Sequence, residues 1–197
     1  MRTLVVATRN PGKLAEFRRL LAGHPWTVAG LDATSFTGEI DEPGPGYREN
    51  AVAKATTVCA ALDEWVLADD SGIEVTAVRG WPGPRSARWL PGSDADRLAS
   101  LLDEVGRLSP DDRRARYVAV LAVARPRGEV VVARGTCEGT LVAPRGAGGF
   151  GYDPAFLSVD LGKTFAEATP AEKDTCSHRA RAVARLARAG FLDEPPR

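Results

Sequence analysis

The sequence predicts an α/β protein organised as one domain, or as two lobes that share a core. Apolar runs of strand length alternate with amphipathic helical segments in the first third of the chain, and two longer apolar runs further on predict a hairpin. With 197 residues, 44% hydrophobic and 26% charged, the chain is long enough to bury a sizeable core. We therefore treat residues 1–197 as a single domain.

The balance of charge limits the partners that the chain can have. Lys+Arg and Asp+Glu each number 26, and this neutrality argues against a broad nucleic-acid-binding face. It still allows a local basic pocket for a phosphate ligand. No apolar run has the length of a membrane span and no signal peptide is recognisable, so we expect a soluble, cytoplasmic protein that binds no membrane and no nucleic acid.

The three cysteines, Cys59, Cys137 and Cys176, are odd in number and widely spaced. They form no CxxC pair and no disulfide framework, which indicates a reducing compartment. Cys176 lies near His178 and raises the alternative of a Cys–His nucleophile. Nothing in the sequence marks an oxyanion hole or a third orienting group, so this alternative is disfavoured.

The first predicted element is a short apolar strand at residues 3–7. A helix follows, because Asn10 is a good N-cap, Pro11 fits the first helical position and Gly23 ends the helical pattern. A strand that leads into a capped helix exposes backbone N–H groups and the positive end of the helix dipole, here beside Lys13. This predicts an anion site. The segment lacks the Walker pattern, and an ordinary strand-to-helix turn is the alternative.

Residues 27–31 form the second predicted strand, and residues 32–46 form a loop that contains Glu39, Asp41 and Glu42. The glycines and prolines of this loop predict an irregular, mobile segment. Its carboxylates are able to bind a metal, and a solvated acidic loop is the alternative.

An Ala-rich helix is predicted over residues 47–62. Asn50 and Lys54 are four residues apart and therefore share one face of it. The pair is able to reach a cleft, although polar pairs of this kind usually lie on the surface.

Three apolar residues, 66–68, lead into two adjacent acids, Asp69 and Asp70. This pattern predicts a buried strand that ends in an acidic turn, after which residues 73–77 alternate as a strand that leaves the turn. Two neighbouring carboxylates repel each other and lose hydration on burial, so a divalent cation is one expected compensation. A simple hairpin closure is the alternative.

Residues 79–92 are rich in Gly, Pro and Trp, and we expect this apolar loop to pack on a cleft wall or on a partner subunit. An amphipathic helix is predicted over residues 94–105. Residues 115–124 and 130–136 are the clearest strand pair, joined by a Pro-Arg-Gly turn, and residues 139–142 extend the second arm.

Four glycines surround two aromatic residues in residues 146–154. This pattern predicts backbone that closely approaches a flat ligand, with Phe150 or Tyr152 stacked on it, and a flexible glycine loop is the alternative. Ser177 is a candidate cap for the last helix, which continues to about residue 189. Because His178 and Arg179 are cationic side chains in its first turn, an anion or an acceptor-rich group is expected nearby.

Together these segments resemble the inosine triphosphate pyrophosphatase family, which removes non-standard purine nucleoside triphosphates such as ITP, dITP and XTP. Six stretches occur in the family's order and span nearly the whole chain. They are residues 8–13, 49–51 with 54–55, 69–72, 82–83 with 86–88, 150–154, and 172–173 with 177–179. The resemblance implies an elongated, two-lobed fold, with helices around a mixed twisted sheet and a nucleotide cleft between the lobes. It also implies a homodimer and a requirement for Mg²⁺.

The resemblance also implies a role for individual residues. Asp70 matches the family's general base and, with Glu42, its metal ligands, while Ser71 contacts the substrate. Glu39 and Asp41 stay open as alternative ligands because they lie close to Glu42. The residues implied to bind the phosphates are Thr8, Arg9, Asn10, Pro11, Gly12 and Lys13. Those implied to surround the base and sugar are Phe150, Gly151, Tyr152, Asp153, Lys173, His178 and Arg179.

The implied reaction is hydrolysis between the α- and β-phosphorus atoms, which gives a monophosphate and pyrophosphate and cleanses the nucleotide pool. Asp70 would activate water, Lys13 would stabilise the leaving pyrophosphate, and donors from His178 and Arg179 would recognise the purine 6-oxygen. Two alternatives from other classes stay open. One is a phosphotransferase that uses the turn at residues 8–13, and the other is a nucleotide- or RNA-binding module that uses Phe150, Tyr152 and the Arg-rich last helix.

Overall fold

A computed structural model describes residues 2–42, 44–109 and 111–193, and it contains a mixed sheet with flanking helices. The strands are β1 (Arg2–Val6), β2 (Trp26–Gly30), β3 (Trp65–Val75), β4 (Arg114–Ala124), β5 (Val130–Leu141) and β6 (Phe156–Ser158). The helices are α1 (Pro11–Leu20), α2 (Tyr47–Leu62), α3 (Asp94–Leu108), α4 (Pro170–Cys176) and α5 (His178–Arg188). Over the described ranges, every helix falls short of the length or apolarity needed to cross a membrane.

The six strands are hydrogen-bonded in the order β2-β1-β3-β4-β5-β6. β1 runs parallel to β2, with Leu4 opposite Val28, and parallel to β3, with Val5 opposite Val66. β6 runs antiparallel to β5. The predicted α/β class, with a mixed sheet flanked by helices, is therefore confirmed.

The chain divides into two compact units. The first unit contains the chain up to Asp70, Ala119–Gly135 and the chain from Arg179 onward, and the second contains Ser71–Val118 and Thr136–His178. β3, β4 and β5 each contribute residues to both units.

The core of the first unit is formed by apolar side chains of β1, β3 and β4 together with α1 and α5. Phe17 of α1 and Leu186 of α5 are almost wholly buried in it. The rings of Trp26 and Trp65 pack with their centroids 5.1 Å apart. This packing fixes the first turn of α1 next to the middle of β3, where the two acids lie.

The core of the second unit is centred on aromatic rings. Tyr117 of β4 lies 4.6 Å from the ring of Phe156 and 5.8 Å from that of Phe165, measured between centroids. The apolar face of α3, which includes Leu101 and Val105, packs into the same cluster. A capping box between Ser93 and Asp96 begins this helix.

Most of the predicted elements are confirmed, including the helix over 47–62 with the same bounds. The predicted acidic turn at Asp69 and Asp70 is wrong, because β3 continues without a break from Trp65 to Val75. Burial of Ile73 and Val75 favours a continuous strand, and buried cations compensate the two acids within it. Two elements were not predicted, namely the short strand β6 and the helix α4.

Candidate active site

The turn between β1 and α1 has the predicted helix cap. Asn10 accepts a hydrogen bond from the backbone N–H of Lys13 at 3.1 Å, and Thr8 Oγ1 accepts one from the N–H of Asn10 at 3.2 Å. The guanidinium of Arg9 donates to the carbonyl of Gly38 at 2.8 Å and so fixes the following loop. The N-terminus of α1 therefore has an ordered geometry in which unused backbone N–H groups and the helix dipole favour an anion.

Asp69 lies in the middle of β3 between two cations. Its Oδ2 is 2.7 Å from Lys13 Nζ and 3.4 Å from Arg179 Nε. Burial by itself would raise the pKa of Asp69, but the charges of Arg179 and Lys13 outweigh it and lower the pKa well below the usual range. Burial lowers the pKa of Lys13, and the charge of Asp69 opposes this shift. Asp69 therefore stays ionised and holds both cations in place.

Glu16 completes this arrangement from the buried side of α1. Its Oε2 accepts a hydrogen bond from Arg179 Nη1 at 3.0 Å, and both side chains are almost fully buried. The acceptor-rich group expected near the cations of the last helix is thus a pair of carboxylates of the protein itself.

Asp70 has a different set of partners, as expected for consecutive residues of a strand, whose side chains point to opposite faces. Asn50 Nδ2 donates to Asp70 Oδ2 at 3.0 Å, and Lys54 Nζ lies 3.5 Å from Asp70 Oδ1. Burial raises the pKa of Asp70, although Lys54 and Asn50 oppose the shift. Asp70 is therefore more basic than an ordinary aspartate.

Glu42 shares its cationic partner with Asp70. Lys54 Nζ is 2.6 Å from Glu42 Oε1, and Asn50 Oδ1 accepts from the N–H of Gly44 at 2.8 Å, which holds the acidic loop against α2. One cationic group thus already contacts both carboxylates. Mg²⁺ is usually held by one or two carboxylates, with water and substrate phosphates completing its shell, so this donor set fits Mg²⁺. Glu39 and Asp41 are exposed.

Four residues of this charged centre were not among the predicted site residues, namely Glu16, Asn50, Lys54 and Asp69. For Asn50 and Lys54 a signal was available, since their spacing of four residues places both on one face of an Ala-rich helix. Both side chains are buried in the structure. Glu16 is an ordinary helical acid in the sequence, and only its partner Arg179 distinguishes it.

In the second unit, Asp153 is the centre of a smaller polar cluster. Its Oδ2 accepts from Lys173 Nζ at 2.6 Å and from the N–H of Phe150 at 2.9 Å, while Oδ1 accepts from the Tyr117 hydroxyl at 3.1 Å. The ammonium of Lys173 lies 5.0 Å from the ring centroids of both Phe150 and Phe165. The ion pair is therefore enclosed by aromatic rings.

His178 belongs to the same aromatic cluster. Its ring stacks on Tyr117, with centroids 4.6 Å apart and planes inclined by 9°. It follows directly on the helix α4 and the linking residue Ser177. The next residue, Arg179, belongs to the first unit, where it forms ion pairs with Asp69 and Glu16.

The hydroxyl of Tyr152 forms two hydrogen bonds with other residues of the chain. Its hydroxyl donates to the carbonyl of Ser86 at 2.7 Å and accepts from Trp89 Nε1 at 2.8 Å. Through these bonds the Trp-rich loop, including the packed pair Trp81 and Trp89, contacts its own unit. The N–H of Gly151 donates to Asp94 at 3.0 Å.

Close backbone packing explains two glycines near these residues. A Cβ on Gly72 of β3 would lie 2.0 Å from the carbonyl oxygen of Gly83, and Ser86 Oγ accepts from the N–H of Ile73 at 2.9 Å. Gly149 has φ +71°, and a Cβ there would lie 2.2 Å from Asp153 Oδ2. Neither position has room for a side chain.

The structure therefore divides the predicted site residues into two groups. Those in the first unit are Thr8, Arg9, Asn10, Pro11, Gly12, Lys13, Glu42, Asp70 and Arg179. Those in the second unit are Ser71, Phe150, Gly151, Tyr152, Asp153, Lys173 and His178. Lys13 and Asp70 each have an ionic partner in the charged centre, and Asp153, Lys173 and Phe150 are in direct contact.

Comparison with known proteins shows which proteins this chain is similar to. A sequence model of the Ham1 family matches residues 4–189. A dITP/XTP pyrophosphatase of Symbiobacterium thermophilum is 49% identical, covering 92% of this chain and 91% of that protein. The Ham1 protein of Staphylococcus aureus has a similar solved structure, with a TM-score of 0.82 and 34% identity over 95% of this chain and 97% of that one. A nucleoside-triphosphatase / dITP/XTP pyrophosphatase from Mycobacterium abscessus gives a TM-score of 0.73 and 39% identity, covering 93% and 98% of the two chains.

Proposed function

This chain belongs to the Ham1 family, and we propose that it hydrolyses non-standard purine nucleoside triphosphates to the monophosphate and pyrophosphate. The substrates are dITP, XTP and ITP, and their removal cleanses the nucleotide pool. The observation that carries the proposal is the buried carboxylate of Asp70 beside Lys54, Asn50 and Glu42, in a chain that matches dITP/XTP pyrophosphatases over nearly its whole length.

Asp70 is the proposed general base. Burial raises its pKa, and a more basic carboxylate is better suited to take a proton from water. The 3.0 Å hydrogen bond from Asn50 restrains the carboxylate, so that its other oxygen is held in one orientation. The water oxygen bonds to a phosphorus of the α–β anhydride, the anhydride bond breaks, and the proton passes to Asp70.

Glu42 and Asp70 are the proposed ligands of a divalent cation, which we take to be Mg²⁺. When bound, this ion neutralises charge on the phosphate oxygens. Lys54, which contacts both carboxylates, keeps them close together. The amide of Asn50 orients Asp70 and also holds the loop that carries Glu42, through the N–H of Gly44.

The N-terminal turn of α1 is the proposed site of the pyrophosphate group. Its cap is ordered by Thr8 and Asn10, and backbone N–H groups at a helix N-terminus favour an anion. Lys13 adds a positive charge that Asp69 holds in position, at 2.7 Å. These groups stabilise the charge that develops on the leaving pyrophosphate.

The cluster around His178 is the proposed site of the purine base. Its stack on Tyr117 fixes the plane of the imidazole, and the Asp153–Lys173 ion pair fixes the ammonium near Phe150. Donors here match the 6-oxygen of hypoxanthine and xanthine, whereas the 6-amino group of adenine would leave buried donors unpaired. The ion pairs of Arg179 with Asp69 and Glu16 favour a positioning role for that residue rather than contact with the base.

We further propose a cytoplasmic homodimer, with the loop around Trp81 and Trp89 at the subunit interface. The partly exposed aromatic pair is the observation that supports this proposal. Light scattering coupled to gel filtration measures the mass directly, and a monomer would contradict it.

The function is tested by incubating the protein with a panel of triphosphates and Mg²⁺, with pyrophosphate and orthophosphate measured separately. We expect release of pyrophosphate from dITP, XTP and ITP, and much less from ATP and GTP. Transfer of phosphate to an acceptor without free pyrophosphate would instead identify a phosphotransferase. Binding without turnover, with a steep dependence on salt, would identify a binding module.

A further inference from the structure

A second cluster of potential metal ligands lies in the second unit, on Cys137, Asp160 and Cys176. Cys137 is on β5, Asp160 follows β6, and Cys176 is the last residue of α4. One ligand atom of each side chain lies within 4.8 Å of those of the other two. Over residues 2–42, 44–109 and 111–193, no other three His, Cys, Asp or Glu side chains bring their ligand atoms this close together.

The sulfur of Cys137 is surrounded by oxygen atoms, although the residue is part of an apolar core. Ser158 Oγ lies at 3.7 Å, Asp160 Oδ2 at 3.8 Å and the carbonyl oxygen of Glu138 at 3.9 Å. Cys137 and Ser158 are fully buried. A thiol has a single, weakly donated proton, so it serves only one of these oxygens at a time, whereas a cation attracts the sulfur and the carboxylate together.

The spacing of the cluster fits a tetrahedral ion. With Zn–S bonds of about 2.3 Å and Zn–O bonds of about 2.0–2.2 Å, two ligands of one tetrahedral Zn²⁺ are about 3.5–3.8 Å apart. The distance from Cys137 Sγ to Asp160 Oδ2 is 3.8 Å. The other two pairs of ligand atoms are at most 4.8 Å apart, so binding one Zn²⁺ would bring them closer together by at most about 1 Å. Asp160 is exposed in a turn, which leaves a path for the ion from solvent.

We propose that Cys137, Cys176 and Asp160 bind one soft divalent cation, with Zn²⁺ the expected ion. Two thiolates and one carboxylate favour Zn²⁺ over Mg²⁺ or Ca²⁺, which prefer all-oxygen sites. Three protein ligands leave a fourth position for water, next to the hydroxyl of Ser158. The cluster shares no residue with the Glu42–Asp70 pair, so the proposal is independent of the proposed hydrolysis.

Occupancy of this site has a structural consequence for α4. Cys176 ends the helix one turn after Lys173, whose ammonium pairs with Asp153. An ion that joins Cys176 to Cys137 therefore fixes the end of α4 against β5. Because the complete ligand set exists only in the folded chain, the melting temperature is expected to rise with Zn²⁺ concentration.

The test uses Co²⁺ as a spectroscopic probe of the reduced, chelator-treated full chain. We expect thiolate-to-cobalt charge-transfer absorption that saturates at one equivalent, disappears when Zn²⁺ is added, and persists in excess Mg²⁺. Cys176→Ser abolishes the absorption. Asp160→Asn, a change at an exposed position that leaves the core intact, weakens Co²⁺ binding about tenfold or more.

Cys59→Ser and Asp103→Asn serve as matched controls, since neither residue belongs to the cluster, and both variants are expected to bind Co²⁺ like the parent protein. Absence of charge-transfer absorption in the parent protein overturns the proposal. Absorption that survives in Cys176→Ser, or that is lost in Cys59→Ser, overturns it as well. Pyrophosphate release from dITP is measured separately, so that failure of the metal site and failure of the hydrolytic function are distinguished.

Discussion

The two compact units bury their polar side chains in different surroundings. In the first unit, Asp69 and Asp70 lie among Lys13, Lys54 and Arg179, so that charges are balanced by other charges at short range. In the second unit, the buried ion pair of Asp153 with Lys173 is enclosed by aromatic rings. In the proposed function, the first arrangement binds the triphosphate once a divalent cation has added its charge, and the second binds the flat purine ring.

The contrast is repeated on a smaller scale within β3, at two consecutive acids. Both side chains are almost fully buried, yet the pKa of Asp69 is lowered and that of Asp70 is raised. The difference arises from their partners, since Arg179 and Lys13 overcome the effect of burial at Asp69, and Lys54 and Asn50 do not overcome it at Asp70. One acid is thereby suited to hold cations, and its neighbour to accept a proton.

The largest effect is expected for Asp70→Asn. Because a general base contributes about 10²–10⁴-fold to rate, kcat for dITP should fall by that factor, while KM and the folded state change little. The amide oxygen of the new side chain is still able to accept from Asn50. Asp103→Asn, at an exposed acid of α3 outside the charged centre, is the matched control. Steady-state kinetics with pyrophosphate detection measures both, and a full kcat in the Asp70 variant would exclude its role as base.

Asp69→Asn should have the opposite profile, with stability more affected than chemistry. It leaves the buried Arg179 and the partly exposed Lys13 without their shared carboxylate, and removal of one partner from a buried ion pair costs about 3–5 kcal/mol of unfolding free energy. Urea denaturation followed by circular dichroism measures the loss. Asp112→Asn, which breaks an exposed pair with Arg114, should cause little change. Equal losses in the two variants would contradict the distinction between them.

The sequence is informative where the signal is local. Asn10 and Pro11 predict the start of α1 because an N-cap and a proline act within one turn. The same kind of signal was available for α4, since Thr169 and Glu172 form a capping box, although the helix was not predicted.

The wrong predictions concern residues whose interaction partners are distant in the sequence. Asp-Asp-Ser-Gly is a turn-like tetrapeptide, and nothing within it predicts a continuous strand. Arg179, which compensates Asp69, is 110 residues away in the chain, and the same arginine is 163 residues from Glu16. Side chains brought together over such separations are determined by tertiary packing, which local propensity does not encode.

The second unit is tested by His178→Phe, which keeps a ring to stack on Tyr117 and removes the imidazole donors. If these donors recognise the 6-oxygen, the ratio of kcat/KM for dITP to that for dATP should fall about 10–100-fold. Inhibition by pyrophosphate, which reports on the first unit, should be unchanged. A variant that weakens pyrophosphate inhibition but keeps its base preference would reverse the assignment of the two units.

The smallest expected effect is on the pH dependence of activity and stability, which compares Asp70 with Asp69 in one molecule. Asp70 must be ionised both to bind the cation and to act as a base, and burial raises its pKa in the metal-free protein. At subsaturating Mg²⁺, kcat/KM should therefore begin to fall at a pH above the ordinary aspartate value, by about tenfold per pH unit below the midpoint. The pKa of Asp69 is lowered by Arg179 and Lys13, which outweigh its burial, so its contribution to stability is present above the ordinary value. That contribution is lost only as the pH falls through the lowered pKa of the folded state. Acidification should therefore produce a window in which the protein is folded but inactive, with activity restored on return to neutral pH. Parallel kinetics and circular dichroism over the same pH series test this order, and loss of structure before loss of activity would contradict it.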